Sequence, residues 1–212
     1  IYGRDLFSRG LLGVRVSRSI GFMAVIISNL IGIILGLVSG YYGGYLDKII
    51  VWIINVFWSI PTLLLVIALS LVLGKGFWQV YIAIGLSIWV DVARLVRGKV
   101  MSEKNKDYVF ASKVLGYGDF KILLNNILPN ILPPILILSA ANFASSILLE
   151  SGLSFLGIGS QPPTPSWGYM IKENYQYIIS GNSYLIVIPS IFLISLVLSF
   201  YYLSHFFASK NI

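Results

Sequence analysis

Long stretches of this chain carry no charge, and they limit its fold more than any other feature. Residues 19–40, 49–73 and 184–207 contain no Asp, Glu, Lys or Arg. About 20 mostly apolar residues in a helix cross a bilayer core, so each stretch is a candidate span. Two further runs qualify with interruptions. Residues 77–96 are apolar as far as Trp89 but carry Asp91 and Arg94, and residues 132–157 are apolar except for Glu150. Strands of a membrane barrel are nearer ten residues long and alternate in polarity, which these runs do not. The expected fold is therefore all-α: a polytopic membrane bundle of five transmembrane helices. Composition agrees, with 57% hydrophobic and 11% charged residues, against about a quarter charged in soluble domains. With no Cys, disulfides, thiolate metal sites and cysteine nucleophiles are excluded.

Five crossings put the two ends on opposite sides. Arg94, Arg97, Lys99, Lys104, Lys106, Lys113 and Lys121 crowd the connection after the third span, and such clusters stay cytoplasmic. The 41–48 turn and the C-terminus then also face the cytoplasm, while Lys75, the 158–183 loop and the N-terminus face out. Arg4, Arg9, Arg15 and Arg18 run against that orientation. Their spacing suits an amphipathic helix lying on the outer bilayer surface, with Leu6, Leu11, Leu12 and Val16 turned inward. Residues 1–18 are thus expected as an external interfacial segment and residues 19–212 as one membrane domain. The chain opens on Ile1 with no short basic and apolar leader, which predicts a preceding piece.

Between the third and fourth spans lies DYVFASKVLGYGDFKILLNNILPN, residues 107–130. Tyr108, Ala111, Leu115, Phe120, Ile122 and Leu123 make an apolar stripe in two short pieces. Asp107 and Asp119 stand at expected helix N-caps, and Gly116 and Gly118 permit a tight turn between them. Pro129, Pro133 and Pro134 are expected in the opening turn of the fourth span. The result is a helix–turn–helix hairpin, too apolar to float free and too short to span. It either rests on lipid or its own bundle, or fits a groove in a soluble partner.

The same segment resembles the EAA loop of permease subunits of bacterial and archaeal ABC importers. That motif reads Glu-Ala-Ala, three residues, Gly, nine residues, Ile, one residue, Leu-Pro. Here Gly116 and Leu128–Pro129 fall at the right spacing and Ala111 is kept, while Phe110, Ser112 and Asn126 replace Glu, the second Ala and Ile. GRDLFSRGLLGVRVS (3–17), GYYGGYLD (40–47), ARLVRG (93–98), LPNILPP (128–134) and ESGLSFLGIGSQPPTPSWG (150–168) resemble successive signatures of the C-type subunit of dipeptide, oligopeptide and nickel permeases. That family has one more span before the GRD region, and it often has Asp where Asn55 stands.

The resemblance implies a type I importer core in the plasma (inner) membrane of a bacterium or archaeon, with loop 98–130 and the C-terminus cytoplasmic. It implies four kinds of partner: a homologous permease, two ATPase subunits, an external substrate-binding protein and the lipid bilayer, with no nucleic acid. Ala111, Ser112, Leu115, Gly116, Tyr117, Gly118 and Asp119 would form the ATPase-coupling element, with Phe110 making its grip more apolar. The sequence has no GxxxxGK[ST]; Gly98-Lys99-Val100 comes nearest. The phosphate cradle of an NTPase is therefore absent from this sequence. ATP and Mg would bind the partner ATPases, and this chain would bind no cofactor and catalyse nothing. Peptides, or a nickel or other metal chelate, are the implied substrates. An ion-coupled secondary transporter is the alternative from another class, and would depend on Glu150 or Asp91. A purely structural membrane protein is a third, and would tolerate bulk at Gly116.

Glu150, Ser154 and Asn55 are the candidate pathway or gate residues, since ionisable groups within spans face the interior or water. Glu150 is alternatively a hydrogen-bonding partner of Ser146, Ser151 or Ser154. Asp91 and Arg94, three apart, are expected to pair on one helix face. Gly32, Gly36 and Gly40 make a small-residue face for close helix packing, and Pro61 and Pro189 predict kinks. Trp58, Trp78, Trp89 and Trp167 are expected as interfacial anchors. The prolines of QPPTPSWG stiffen an external loop. A single His, His205, makes no metal site.

Overall fold

The computed structural model describes residues 6–74, 76–159, 166–178 and 182–210. All regular structure among them is helical: α1 (Leu6–Tyr42), α2 (Gly44–Trp58), α3 (Thr62–Leu73), α4 (Phe77–Glu103), α5 (Asp107–Val114), α6 (Asp119–Lys121), a π turn (Ile122–Ile127), α7 (Leu128–Leu156), α8 (Trp167–Asn174), a 3₁₀ turn (Tyr175–Ile178) and α9 (Tyr184–Lys210). Four stretches are long and apolar enough to cross a membrane alone: Ser8–Tyr42, Trp78–Glu103, Asp119–Leu156 and Tyr184–Leu203. The expected second span is instead two helices, α2 and α3, bent by 92° at a short break. Pro61 stands at the N-cap of α3; it has no N–H to continue the α2 ladder, and it disfavours helix at the residue before it.

A glycine rail fixes how the spans pack. A Cβ on Gly32 would lie 2.5 Å from Val92 Cβ, one on Gly36 2.6 Å from Val96 Cβ, and one on Gly40 2.8 Å from the Arg97 carbonyl. From the other side Gly85 meets Ile27 and the Ala24 carbonyl in the same way. Matching positions rise together along both helices, so α1 and α4 run parallel at close range. Parallel neighbours need a return crossing between them. The bent α2–α3 pair supplies it, which brings the crossings to five. The glycines serve as packing surface, as their spacing predicted.

Two apolar clusters fill opposite ends of this frame. Leu37, Val96, Val100, Val109, Ile122, Ile127 and Ile131 form one. Ile20, Ala24, Val66, Ala83, Ile84 and Leu153 form the other. α7 therefore runs antiparallel to α1 and α4, with Ile131 in the first cluster and Leu153 in the second.

Several expectations change. Residues 6–18 do not form a helix separate from the first span, because α1 continues unbroken from Leu6 to Tyr42. Its opening turns pack on α8: Arg9 Nη2 donates to Glu173 Oε2 at 3.3 Å, and the buried Trp167 Nε1 donates to the Gly10 carbonyl at 2.9 Å. A Cβ on Gly13 would come within 2.7 Å of that indole nitrogen, so glycine here makes room for a ring. Trp167 is thus a core residue stacked on Phe192 at 6.2 Å between centroids. Trp89 is core too, buried edge-to-face against Phe57 at 5.4 Å. Neither is an interfacial anchor, whereas Trp58 and Trp78 are exposed. Ser166 caps α8 by accepting from Tyr169 N at 3.2 Å. A Cβ on Gly168 would reach 2.1 Å from the Ser151 carbonyl, which explains each residue of the SWG triplet. Residues 161–165 and the side chain of His205 lie outside the described residues.

Candidate functional site

The hairpin at 107–130 folds as expected in its first half. α5 ends in a Schellman motif: Tyr117 N donates to the Ser112 carbonyl at 3.1 Å and Gly116 N to the Lys113 carbonyl at 3.0 Å. This closure needs a left-handed residue after the helix, and Gly116 takes φ 78°. Nothing lies within 4 Å of a Cβ placed on Gly116 or Gly118, so the turn projects freely.

The second half differs. Asp119 opens a three-residue helix that runs through the π turn into α7. The hairpin's second arm is thus the foot of the fourth span, and Asp119–Leu156 forms one 38-residue element. Pro129 lies in the first turn of α7, while Pro133 and Pro134 lie inside it rather than at its opening. Interior prolines cannot donate to the carbonyls four residues back. The wider π turn sits just before them, where the ladder is already irregular. The N-cap positions are Lys106 and Gly118, without side-chain caps. Asp107 and Asp119 sit one residue further on, in the first turns, where a carboxylate still meets the positive end of the helix dipole.

The projecting surface is apolar. Val114 is 87% exposed, Phe120 74%, Leu115 70% and Phe110 52%, with Tyr117 and Ala111 exposed among them. Its underside is anchored at several points. Val109 is fully buried in the cluster with Val96 and Val100 of α4. Asn126 Nδ2 donates to Ser112 Oγ at 2.8 Å, and that hydroxyl donates to the Tyr108 carbonyl at 2.8 Å. Tyr41, near the end of α1, donates its phenol to Asp119 Oδ1 at 2.8 Å. Lys113 Nζ lies 5.7 Å from the Tyr41 ring centroid, and Lys121 Nζ 3.9 Å from that of Tyr117. Behind the knob, Tyr108 donates to Glu103 Oε2 at 2.7 Å. Burial and this bond hold its phenol above the usual tyrosine value.

A polar belt ties the helix ends above the knob. Arg97 of α4 grips Asp47 of α2 through both carboxylate oxygens, at 2.6 and 2.7 Å, and Ser39 also donates to Asp47. Lys104 Nζ donates to the Gly40 carbonyl at 2.9 Å, meeting the negative end of the α1 dipole. Sequence reasoning missed this belt. The partners of Arg97 and Lys104 stand 50 and 64 residues away, and only basic clustering marked the region.

Of the pathway candidates, Glu150 and Ser154 come together. Glu150 is fully buried in α7, and Ser154 Oγ donates to its Oε1 at 2.7 Å. Ser146 and Ser151 are buried on the same helix. Asn55 lies apart, exposed on α2. The expected Asp91–Arg94 pair is not among the ion pairs of the described residues. Arg94 instead sits 4.0 Å from the ring centroid of Trp58, whose aromatic face it reaches across the α2 break.

Residues 32–211 match the family of binding-protein-dependent transport system inner membrane components. Among similar proteins is the dipeptide transport system permease protein DppC of Bacillus subtilis, 40% identical over 191 residues, which are 90% of this chain and 60% of that protein. The oligopeptide transport system permease protein OppC of the same organism is 40% identical over 171 residues, 81% of this chain and 56% of its own. The chain thus spans about 60% of the length of these relatives. A chain from inward-facing structures of the MetNI methionine ABC transporter superposes with a TM-score of 0.75 at 18% identity, covering 94% of both chains. That likeness shows a shared fold.

Proposed function

The chain belongs to the family of binding-protein-dependent transport system inner membrane components, a multi-pass membrane protein, and from that premise we propose that it is one permease half of an ATP-driven importer for di- and oligopeptides. The second half is a homologous permease, an external binding protein delivers the substrate, and two separate ATPases bind and hydrolyse ATP with Mg. The named relatives, which are dipeptide and oligopeptide permeases, support peptides over a nickel chelate. The basic cluster from Arg94 to Lys121 supports a cytoplasmic position for the knob and the C-terminus.

One observation carries the coupling role: an exposed apolar knob stands on attachments to three spans. Val109 roots it in α4, Tyr41 joins it to α1 through Asp119, and the π turn makes it continuous with α7. An apolar tip of this kind is an anchor for a partner groove. Ala111, Ser112, Leu115, Gly116, Tyr117, Gly118 and Asp119 make the contact loop, in which Ser112 is the internal brace and the others are exposed. Force applied at the tip moves α1, α4 and α7 as one body. ATP-driven closure of the ATPases thereby tilts the half-bundle between two packings. Glu150 with Ser154, and Asn55, are proposed pathway or gate positions.

The test is co-purification. Gly118→Trp adds bulk where the turn has open space and the backbone is one any residue adopts, φ −69°, so the protein should insert normally and lose its ATPases; Gly116→Trp would in addition strain the left-handed turn. Undiminished capture of the ATPases by Gly118→Trp refutes the coupling assignment.

A further inference from the structure

α1 is 37 residues long, about 55 Å of helix, against a hydrocarbon core of about 30 Å. One edge of its crossing is fixed at Gly40, whose carbonyl accepts from Lys104 Nζ in the polar belt. At about 1.5 Å per residue back along α1, the other edge of the core falls near Ile20, and a tilt of about 20° moves it by roughly one residue. Phe22 then lies just inside the hydrocarbon. Arg18 and Arg15 lie roughly 33 and 38 Å from Gly40, at the depth of the opposite headgroup layer.

These positions share one face. Arg15, Arg18, Phe22 and Ile26 follow at spacings of three and four, which is one side of a helix, and all four are exposed. Gly13, Ser17, Ile20, Gly21 and Ala24 are buried on the other side, where Gly13 meets Trp167 and Gly21 meets Phe143. The arginines therefore point away from the bundle. Leu30 and Ile34, 59% and 58% exposed, continue the apolar surface beneath them. Arg9 takes Glu173, and neither Arg15 nor Arg18 enters an ion pair among the described residues. Two like charges one turn apart repel each other, so an anion between them relieves both.

We propose that Arg15 and Arg18 clamp the phosphate of an anionic phospholipid whose acyl chains lie along Phe22, Ile26 and Leu30. The planar guanidinium fork matches phosphate oxygens two at a time. Phosphatidylglycerol fits this chemistry. Phosphatidylethanolamine carries its own ammonium, which two guanidiniums repel. An acidic protein surface would supply anions without the hydrocarbon directly below them, so the stripe favours lipid. The inference needs only that the chain crosses a bilayer. It is independent of the peptide-importer reading and of which side each end faces.

The experiment uses the full-length chain in its assembled complex, reconstituted in vesicles of equal parts phosphatidylglycerol and phosphatidylethanolamine. After mild detergent extraction, native mass spectrometry counts the lipids retained. Arg15→Gln/Arg18→Gln should lower the preference for phosphatidylglycerol at least threefold, with an unchanged unfolding midpoint in lipid-free micelles. Arg15→Lys/Arg18→Lys, which keeps the charge and loses the fork, should fall between that variant and wild type. Equal preference in wild type and the glutamine variant overturns the clamp. A lysine variant as selective as wild type also overturns it, by showing attraction to charge alone. Displacement of the lipid by inorganic phosphate would mark a site for a free anion and overturn the lipid assignment. A photoreactive side chain placed at Phe22 should capture lipid; capture of another protein chain there overturns the proposal in favour of a protein partner.

Discussion

Gly36→Ala should destabilise this protein although alanine is the better helix former. The new Cβ would lie 2.6 Å from Val96 Cβ and 2.8 Å from the Ala93 carbonyl oxygen, where ordinary contact begins at 3.4 Å. The carbonyl belongs to the α4 backbone and cannot rotate aside, so α1 and α4 must separate by roughly 1 Å, in a frame that both apolar clusters hold closed. Overpacking of this kind costs about 1–3 kcal/mol, against a propensity gain of up to about 1 kcal/mol. The net is a loss of about 1–2 kcal/mol. Gly98 on α4 supplies the control, because a Cβ there meets nothing within 4 Å. Gly98→Ala keeps the propensity gain without the clash. The two variants should therefore differ by about 2 kcal/mol, near thirtyfold in the folding equilibrium, with opposite signs relative to wild type. Reversible unfolding in mixed micelles measures both. Gly36→Ala matching Gly98→Ala in stability would refute the close parallel packing of α1 and α4.

Arg97→Ala strips Asp47 of a two-point grip and should cost about 2–3 kcal/mol in the same assay. Arg97→Lys should recover less than half of that, because an ammonium cannot reproduce the planar fork. Trp167→Phe keeps the stack on Phe192 but loses the bond to the Gly10 carbonyl, and should lower stability by about 1 kcal/mol. Gly13→Ala pushes on the same indole and should cost more than Trp167→Phe; the reverse order would show that α1 does not seat on that ring. Val114→Asp changes a side chain that is 87% exposed, so the unfolding midpoint should stay put while ATPase co-purification falls at least tenfold. Normal capture would remove the apolar tip from the coupling surface.

How much was legible varied by element. Charge-free runs located the crossings, because the bilayer penalises each unsatisfied or charged group along a whole span. The break at Pro61 was visible as a proline, but its 92° bend was not, since a kink and a reversal share one local signal. The roles of Trp89 and Trp167 were misread for a similar reason. Tryptophan near the end of an apolar run looks like an anchor until its partner from another helix is placed beside it, the Phe57 ring for Trp89 and Gly13, 154 residues away, for Trp167. Asp91 and Arg94 had the spacing of a pair, yet Trp58, from another helix, captured the guanidinium.

The sequence alone determined that this chain is an all-helical membrane protein, where its apolar runs lie, and that a glycine-hinged insert ends one of its connections. Those properties are local, set by hydropathy, proline and glycine over a few turns. Tertiary structure alone decided that α1 and α4 run in parallel contact, that the insert is braced against three spans, and that Arg15 and Arg18 stand on the side of α1 turned away from the bundle. Each depends on contacts between residues far apart in the chain, where side-chain shape and the satisfaction of buried polar groups choose the partner and sequence spacing carries no information.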